Sequence, residues 1–138
     1  MLERIRTDID KAIREYLKRS RGAIVKGGRT DLLYDCVYDL ATRDGKRVRP
    51  LLMVLSYMGH TGKDEARYDD IVNASLALEL AHDFFLIHDD VIDRSDLRRG
   101  RPTMHRMFNE RLEAGEDHPM GPSLSIVAGD VLFTLAIE

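Results

Sequence analysis

The sequence between residues 71 and 92 is rich in apolar residues, with Ile71, Leu78, Phe85 and Ile92 at seven-residue intervals and many others between. That spacing predicts one long helix. It runs into Phe84-Phe85-Leu86-Ile87-His88-Asp89-Asp90-Val91-Ile92-Asp93. Each helical residue turns by roughly 100°, so Asp89 and Asp93 point the same way, one turn apart, with Asp90 beside them. Three carboxylates this close repel one another, and the dipole at a helix C-terminus disfavours negative charge further. An apolar helix that ends in such a cluster suggests a compensating cation. Oxygen ligands favour hard ions, and carboxylates that share a site with phosphate oxygens suit Mg²⁺. Arg98 and Arg99 follow closely and offer the fixed positive charge that a phosphate-bearing ligand needs. For a generic D-D-x-x-D the plainer reading is a solvated helix end held in surface ion pairs, so the surrounding residues decide.

A second basic stretch, Gly45-Lys46-Arg47-Val48-Arg49-Pro50, precedes an apolar helix predicted over Leu51 to Met58 and closed by Gly59. Pro50 suits the first helical position, where a missing N–H costs nothing. Lys46 and Arg49 then stand just outside a helix N-terminus, where backbone donors and the positive dipole end favour an anion. An ordinary basic turn is the alternative. His82 lies seven residues before Asp89, on the same helical face within about 20°. A histidine on an apolar helix is usually a hydrogen-bonded core residue, and its alignment with the aspartates raises a binding role. His88 and His105 have weaker claims. Phe85 lies one turn before Asp89, so a chain hanging from a diphosphate held there would run toward its ring.

The remaining elements also read as helices. Leu2 to about Arg21 carries a single apolar stripe, and a second helix through about Thr42 has Thr30 or Asp31 as its cap. His60-Thr61-Gly62-Lys63 reads as a loop, with Asp64 as a cap for the long helix. Thr103 can cap a helix to roughly Leu112, residues 114–121 read as a loop, and Pro122 and Ser123 open a last helix over Leu124–Ile137. In that helix Ala128-Gly129 suits close packing, and Asp130 reads as structural.

At 138 residues the chain has the size of one domain, and its net charge of −3 gives no sign of a nucleic-acid partner. The one cysteine, Cys36, excludes an internal disulfide and fits a reducing cytoplasm. Met1–Lys11 mixes charges of both signs, unlike a signal peptide. Asn73, Glu79, His82 and Asp83 interrupt the most apolar stretch, which argues against a transmembrane segment.

Taken together, DDVIDRSDLRRGRPT preceded by GKRVRP resembles the first aspartate-rich region of the trans-isoprenyl diphosphate synthases, the polyprenyl synthetase family. The likeness covers most of residues 40–138. It implies an all-α helical bundle of the isoprenoid synthase type around a central pocket, Mg²⁺ as cofactor, and a homodimer. It further implies that Asp89 and Asp93 hold an allylic diphosphate through Mg²⁺, with Asp90 assisting and Arg98 clamping it. Isopentenyl diphosphate would be held by Lys46, Arg49, His82 and Arg99, with Arg47 nearby and secondary. Phe84 and Phe85 would set chain length, and aromatic residues there resemble synthases that make farnesyl or geranylgeranyl diphosphate. The family's second aspartate-rich motif, its later lysine and its Gln-x-x-Asp element have no match. The chain is therefore expected to be the N-terminal part of one isoprenoid synthase domain. A partner-dependent or non-catalytic subunit is one alternative. A terpene cyclase is another, disfavoured because a cyclase has no second diphosphate for GKRVRP and RRGRPT to hold.

Overall fold

A computed structural model describes residues 1–62 and 65–138. Six helices follow in order: α1 Leu2–Ile24, α2 Arg29–Ala41, α3 Val48–Thr61, α4 Tyr68–Ile92, α5 Met104–Arg111 and α6 Met120–Ile137. A 3₁₀ turn, Glu65–Arg67, leads into α4. A small antiparallel hairpin, β1 Leu97–Arg98 with β2 Arg101–Pro102, joins α4 to α5. The fold is all-α, with the expected long helix at its centre.

α4 packs against α6, α3, α1, α2 and α5, so its apolar faces are covered from several sides. α1 contributes Ile5, Ile9, Ile13 and Leu17, a buried stripe at one-turn spacing. α2 adds Tyr34, Val37 and Leu40, and the Tyr34 hydroxyl donates to the Leu17 carbonyl, tying the two helices. α6 approaches α4 closely because Gly129 has no side chain: a Cβ there would lie 2.7 Å from Nε2 of His88. By length and composition alone α4 and α6 could each cross a membrane. The middle of α4, however, carries Glu79 and Asp83, both buried among arginines, which suits a core helix.

Several helix ends differ from the sequence reading. α3 starts at Val48, so Pro50 stands in its first turn and not at its first position. It runs past Gly59 to Thr61, because Gly62 adopts the left-handed conformation that ends a helix (φ 67°) and returns its N–H to the Met58 carbonyl. His60 and Thr61 are thus helical and not loop. α1 continues to Ile24. α2 begins at Arg29, and the Thr30 hydroxyl donates to the Gly27 carbonyl and accepts from Lys26 N–H instead of capping. α6 starts at Met120, since Pro122 in the first turn removes an N–H that has no helical partner there. Thr103 precedes α5, but its hydroxyl donates to the Ser95 carbonyl and does not cap. Asp64 and Lys63 lie outside the described residues.

Candidate active site

The loop before α3 is organised by Arg47, which has a left-handed backbone (φ 47°) and is 2% exposed. Its guanidinium donates to Asp10 at 2.7 Å, Glu79 at 2.8 Å, and the carbonyls of Ala41 and Arg43 at 3.1 and 2.7 Å. Every edge of the group is occupied by protein. Arg47 is therefore an internal strut that borders the cavity between Lys46 and Arg49. With Arg47 pinned inward, Lys46 and Arg49 on either side stay exposed.

The hairpin brings the next two arginines into place. Leu97 pairs with Pro102 and Arg98 with Arg101, leaving Arg99-Gly100 as a two-residue turn. Both turn residues have positive φ, 54° and 73°, the type I′ geometry that matches strand twist. Arg43 holds the hairpin from below through the Arg98 carbonyl at 3.4 Å, and Asp39 receives Arg101 at 2.6 Å. Arg99 then lies across Gly45, where a Cβ would stand 3.1 Å from its Nη1. Glycine at 45 is what makes room for that guanidinium.

These elements enclose a cavity of about 360 Å³ whose lining includes Lys46, Arg49, His82 and Arg99. The four residues expected to hold one diphosphate thus meet around one space. Burial, and then Arg49, hold the His82 ring below its ordinary pKa of 6.5, so it is neutral at neutral pH. Beside this space runs a groove of about 470 Å³ lined by Arg49, Leu78, His82, Phe85, Leu86 and Asp89, among others. Arg49 and His82 border both. Phe85 is 57% exposed and forms part of the groove wall. Phe84 is separated from it. Its ring packs against Phe133 of α6 at 5.0 Å and His88 at 4.4 Å.

The three aspartates also divide. Asp89 and Asp93 are exposed, and among the described residues neither carboxylate has a hydrogen bond or ion pair. Asp90, rotated inward by one helical step, is 1% exposed and is gripped by Arg98 through both Nε and Nη2. The resemblance made Asp90 a metal-site helper and Arg98 a diphosphate clamp; in this structure each is first the other's partner. Among the described residues no three His, Cys, Asp or Glu side chains converge as a metal cage. The protein offers two exposed carboxylates, and waters or ligand phosphates would complete the shell. That donor set fits Mg²⁺, which keeps several waters and binds through one or two carboxylates.

Other candidates fall outside these spaces. His88 lies between α4 and α6, with Nε2 3.8 Å from exposed Asp130. His105 is buried beside Thr103, and burial lowers its pKa. Cys36 is buried, and burial pushes its thiol up to about 11, as suits an inert core residue. Sequence reading missed Asp83. It is fully buried, neither carboxylate oxygen has a hydrogen-bond partner, and Arg99 Nη2 stands 3.9 Å away. Burial, then the charge of Glu79, push its carboxyl up to about 7.

Residues 30–138 match the model of the polyprenyl synthetase family. The chain is 40% identical over 108 residues to the short chain isoprenyl diphosphate synthase of Methanocaldococcus jannaschii, covering 78% of this chain and 28% of that protein. It is 30% identical over 138 residues to the geranylgeranyl pyrophosphate synthase of Geoglobus acetivorans, covering 100% of this chain and 37% of the relative. A solved geranylgeranyl pyrophosphate synthase from Corynebacterium glutamicum, complexed with isoprenyl diphosphate and magnesium, superposes with a TM-score of 0.88 at 27% identity. That match covers 99% of this chain and 40% of the solved one, so this chain spans well under half the length of these relatives. With its family model matched over residues 30–138 and its helices laid out as in a solved synthase, the chain belongs to the polyprenyl synthetase family.

Proposed function

We propose that this chain supplies the substrate-binding, N-terminal part of a trans-prenyltransferase that extends an allylic diphosphate with isopentenyl diphosphate. The product would be a short trans-prenyl diphosphate, farnesyl or geranylgeranyl. The observation that carries this reading is the pairing of two chemically different anion sites along one apolar groove. A cationic cavity lined by Lys46, Arg49, His82 and Arg99 stands at one side, and the free carboxylate of Asp89 lines the groove at the other, with Asp93 exposed one helical turn further on. Two diphosphate substrates need two such sites, and they must open onto a shared apolar space.

In this reading Lys46, Arg49 and Arg99 neutralise the diphosphate of isopentenyl diphosphate, and neutral His82 adds a hydrogen bond without adding charge. Asp89 and Asp93 would hold Mg²⁺, which when bound neutralises charge on the allylic diphosphate and on departing pyrophosphate. Arg98, held in place by Asp90, adds a fixed cation near the same helix end. The C–O bond to pyrophosphate breaks, the double bond of isopentenyl diphosphate attacks the allylic carbon, and a proton is lost. Leu78, Leu86 and Phe85 keep water from the cation. A homodimer in the cytoplasm completes the proposal. What supports an assembly is the apolar surface that α6 leaves exposed at Ile126, Val127 and Phe133, which further protein would cover.

The test is incorporation of labelled isopentenyl diphosphate into a longer prenyl diphosphate, with geranyl diphosphate and Mg²⁺ supplied. Elongation that disappears in Asp93→Ala supports the proposal. A second reading, a subunit that needs a partner for chemistry, is favoured by the finding that among the described residues two free carboxylates, Asp89 and Asp93, stand at the proposed metal site without a third acid or histidine to join them. Elongation only after mixing with a second synthase chain would establish it. Consumption of the allylic diphosphate without isopentenyl diphosphate would instead mark a cyclase.

A further inference from the structure

The buried and half-buried acids near the cationic cavity are each matched to an arginine. Asp90 holds Arg98, Glu79 holds Arg47 at 2.8 Å, and Asp39 holds Arg43 at 2.8 Å. Asp83 is the one buried carboxylate in this group without a hydrogen bond among the described residues, and the ion pair it does make is with Arg99. At 3.9 Å that contact is too long for a hydrogen bond and short enough for direct charge attraction. Of this set Arg47 and Arg99 both border the cavity, and Arg99 is the one whose side chain stays exposed, 27% against 1% for Arg47. On one side it meets Gly45, behind it lies Asp83, and its remaining edge is open to the cavity.

A buried carboxylate without a hydrogen bond is costly, and a neutral side chain of the same shape would avoid that cost. Its position behind a partly exposed guanidinium offers a use for it. We propose that Asp83 is the positioning residue of the anion cavity: it holds Arg99 from behind, so that the guanidinium presents its free edge to a bound diphosphate. Asp83 does not touch the ligand and acts through Arg99 alone. Arg98 shows the same arrangement in tighter form, since Asp90 lies behind it and is equally buried. The inference rests on the proposed diphosphate role of this cavity.

The experiment is a double-mutant cycle read by the affinity for inorganic pyrophosphate at pH 8 to 8.5, where the Asp83 carboxyl, raised to about 7, carries its charge. Asp83→Asn keeps the shape and an acceptor but removes the charge. It is expected to weaken pyrophosphate binding by about fivefold when Arg99 is present, and by less than about 1.5-fold in an Arg99→Ala background. Thermal melting, followed alongside, should show no loss of stability in Asp83→Asn. Equal weakening in both backgrounds would mean a general structural effect and overturn the inference. Unchanged or tighter binding in Asp83→Asn would overturn it too, because the carboxylate would then merely oppose the ligand. Should Asp83→Asn fail to fold, Asp83→Thr carries the same cycle with the same outcomes. If the unaltered protein binds no pyrophosphate at all, the diphosphate reading of the cavity fails and takes this inference with it. Binding that is strong but insensitive to Asp83 defeats the inference alone.

Discussion

Arg47 and Glu79 form a 2.8 Å ion pair in which both side chains are almost fully buried. The pair ties the start of α3 to the middle of α4. It therefore fixes the loop bearing Lys46 and Arg49 against the helix bearing His82 and Asp89. Two basic segments far apart in sequence face the aspartates because this strut and the hairpin hold them there.

Arg47→Met leaves Glu79 buried without its cation and Asp10 without a partner. Breaking a buried pair from one side costs about 3–5 kcal/mol, and urea unfolding should show a loss of that order. Lysine at 47 should restore little, because one ammonium cannot reach the four acceptors spread around a planar guanidinium. Pairing Arg47→Met with Glu79→Leu should recover much of the loss.

The aspartates should separate by phenotype. Asp89 and Asp93 are exposed near a helix C-terminus, so Asp89→Ala or Asp93→Ala should leave melting unchanged or slightly raised while removing nearly all Mg²⁺-dependent turnover. Asp90→Ala removes the charged hydrogen bonds that Arg98 makes while leaving that partly exposed arginine in reach of water, and should lower stability by about 1.5–3 kcal/mol. Melting curves and elongation rates measured on the same samples check both.

Phe85→Ala should lengthen the product, because it opens the wall of the groove, and should change stability little. Phe84→Ala should instead cost about 3 kcal/mol, because it removes a ring packed between α4 and α6. Product chromatography beside denaturant unfolding separates the two effects. Unchanged products from Phe85→Ala would remove its chain-length role.

Asp83 has a carboxyl raised by burial from 3.8 to about 7. Between those values the folded chain holds a proton that the unfolded chain has released. Stability should therefore fall as pH rises from about 4 to about 7. Asp83→Asn lacks that decline. It should melt above the parent at pH 8 by the equivalent of at least about 1 kcal/mol, with the gap closing toward pH 4. An equal gap at both pH values would contradict the assignment.

The sequence made the long helix legible because its apolar periodicity and its acidic end are both local signals. Local signals gave Lys46, Arg49, His82 and Arg99 as separate points that only the family resemblance grouped, and the structure supplies the cavity that all four line. The hairpin was missed, since its strands are two residues each; the signal was Arg99-Gly100, where glycine supports a turn of positive φ. The inward turn of Arg47 was hidden for a different reason. In a run of three cations nothing local marks the one that turns inward, because its partners lie at Asp10 and Glu79, far along the chain. Asp83 was hidden in the same way, for the ion-pair partner it has among the described residues arrives on the hairpin.

The most direct measurement is a calorimetric titration of isopentenyl diphosphate into the protein, repeated for Lys46→Ala, Arg49→Ala and Arg47→Lys at matched ionic strength. The account predicts binding that Lys46→Ala and Arg49→Ala each weaken by about tenfold or more, because each removes a cation from the cavity. In any Arg47→Lys protein that still folds, loss of affinity should follow loss of stability. No binding, or binding indifferent to Lys46 and Arg49, would contradict the account.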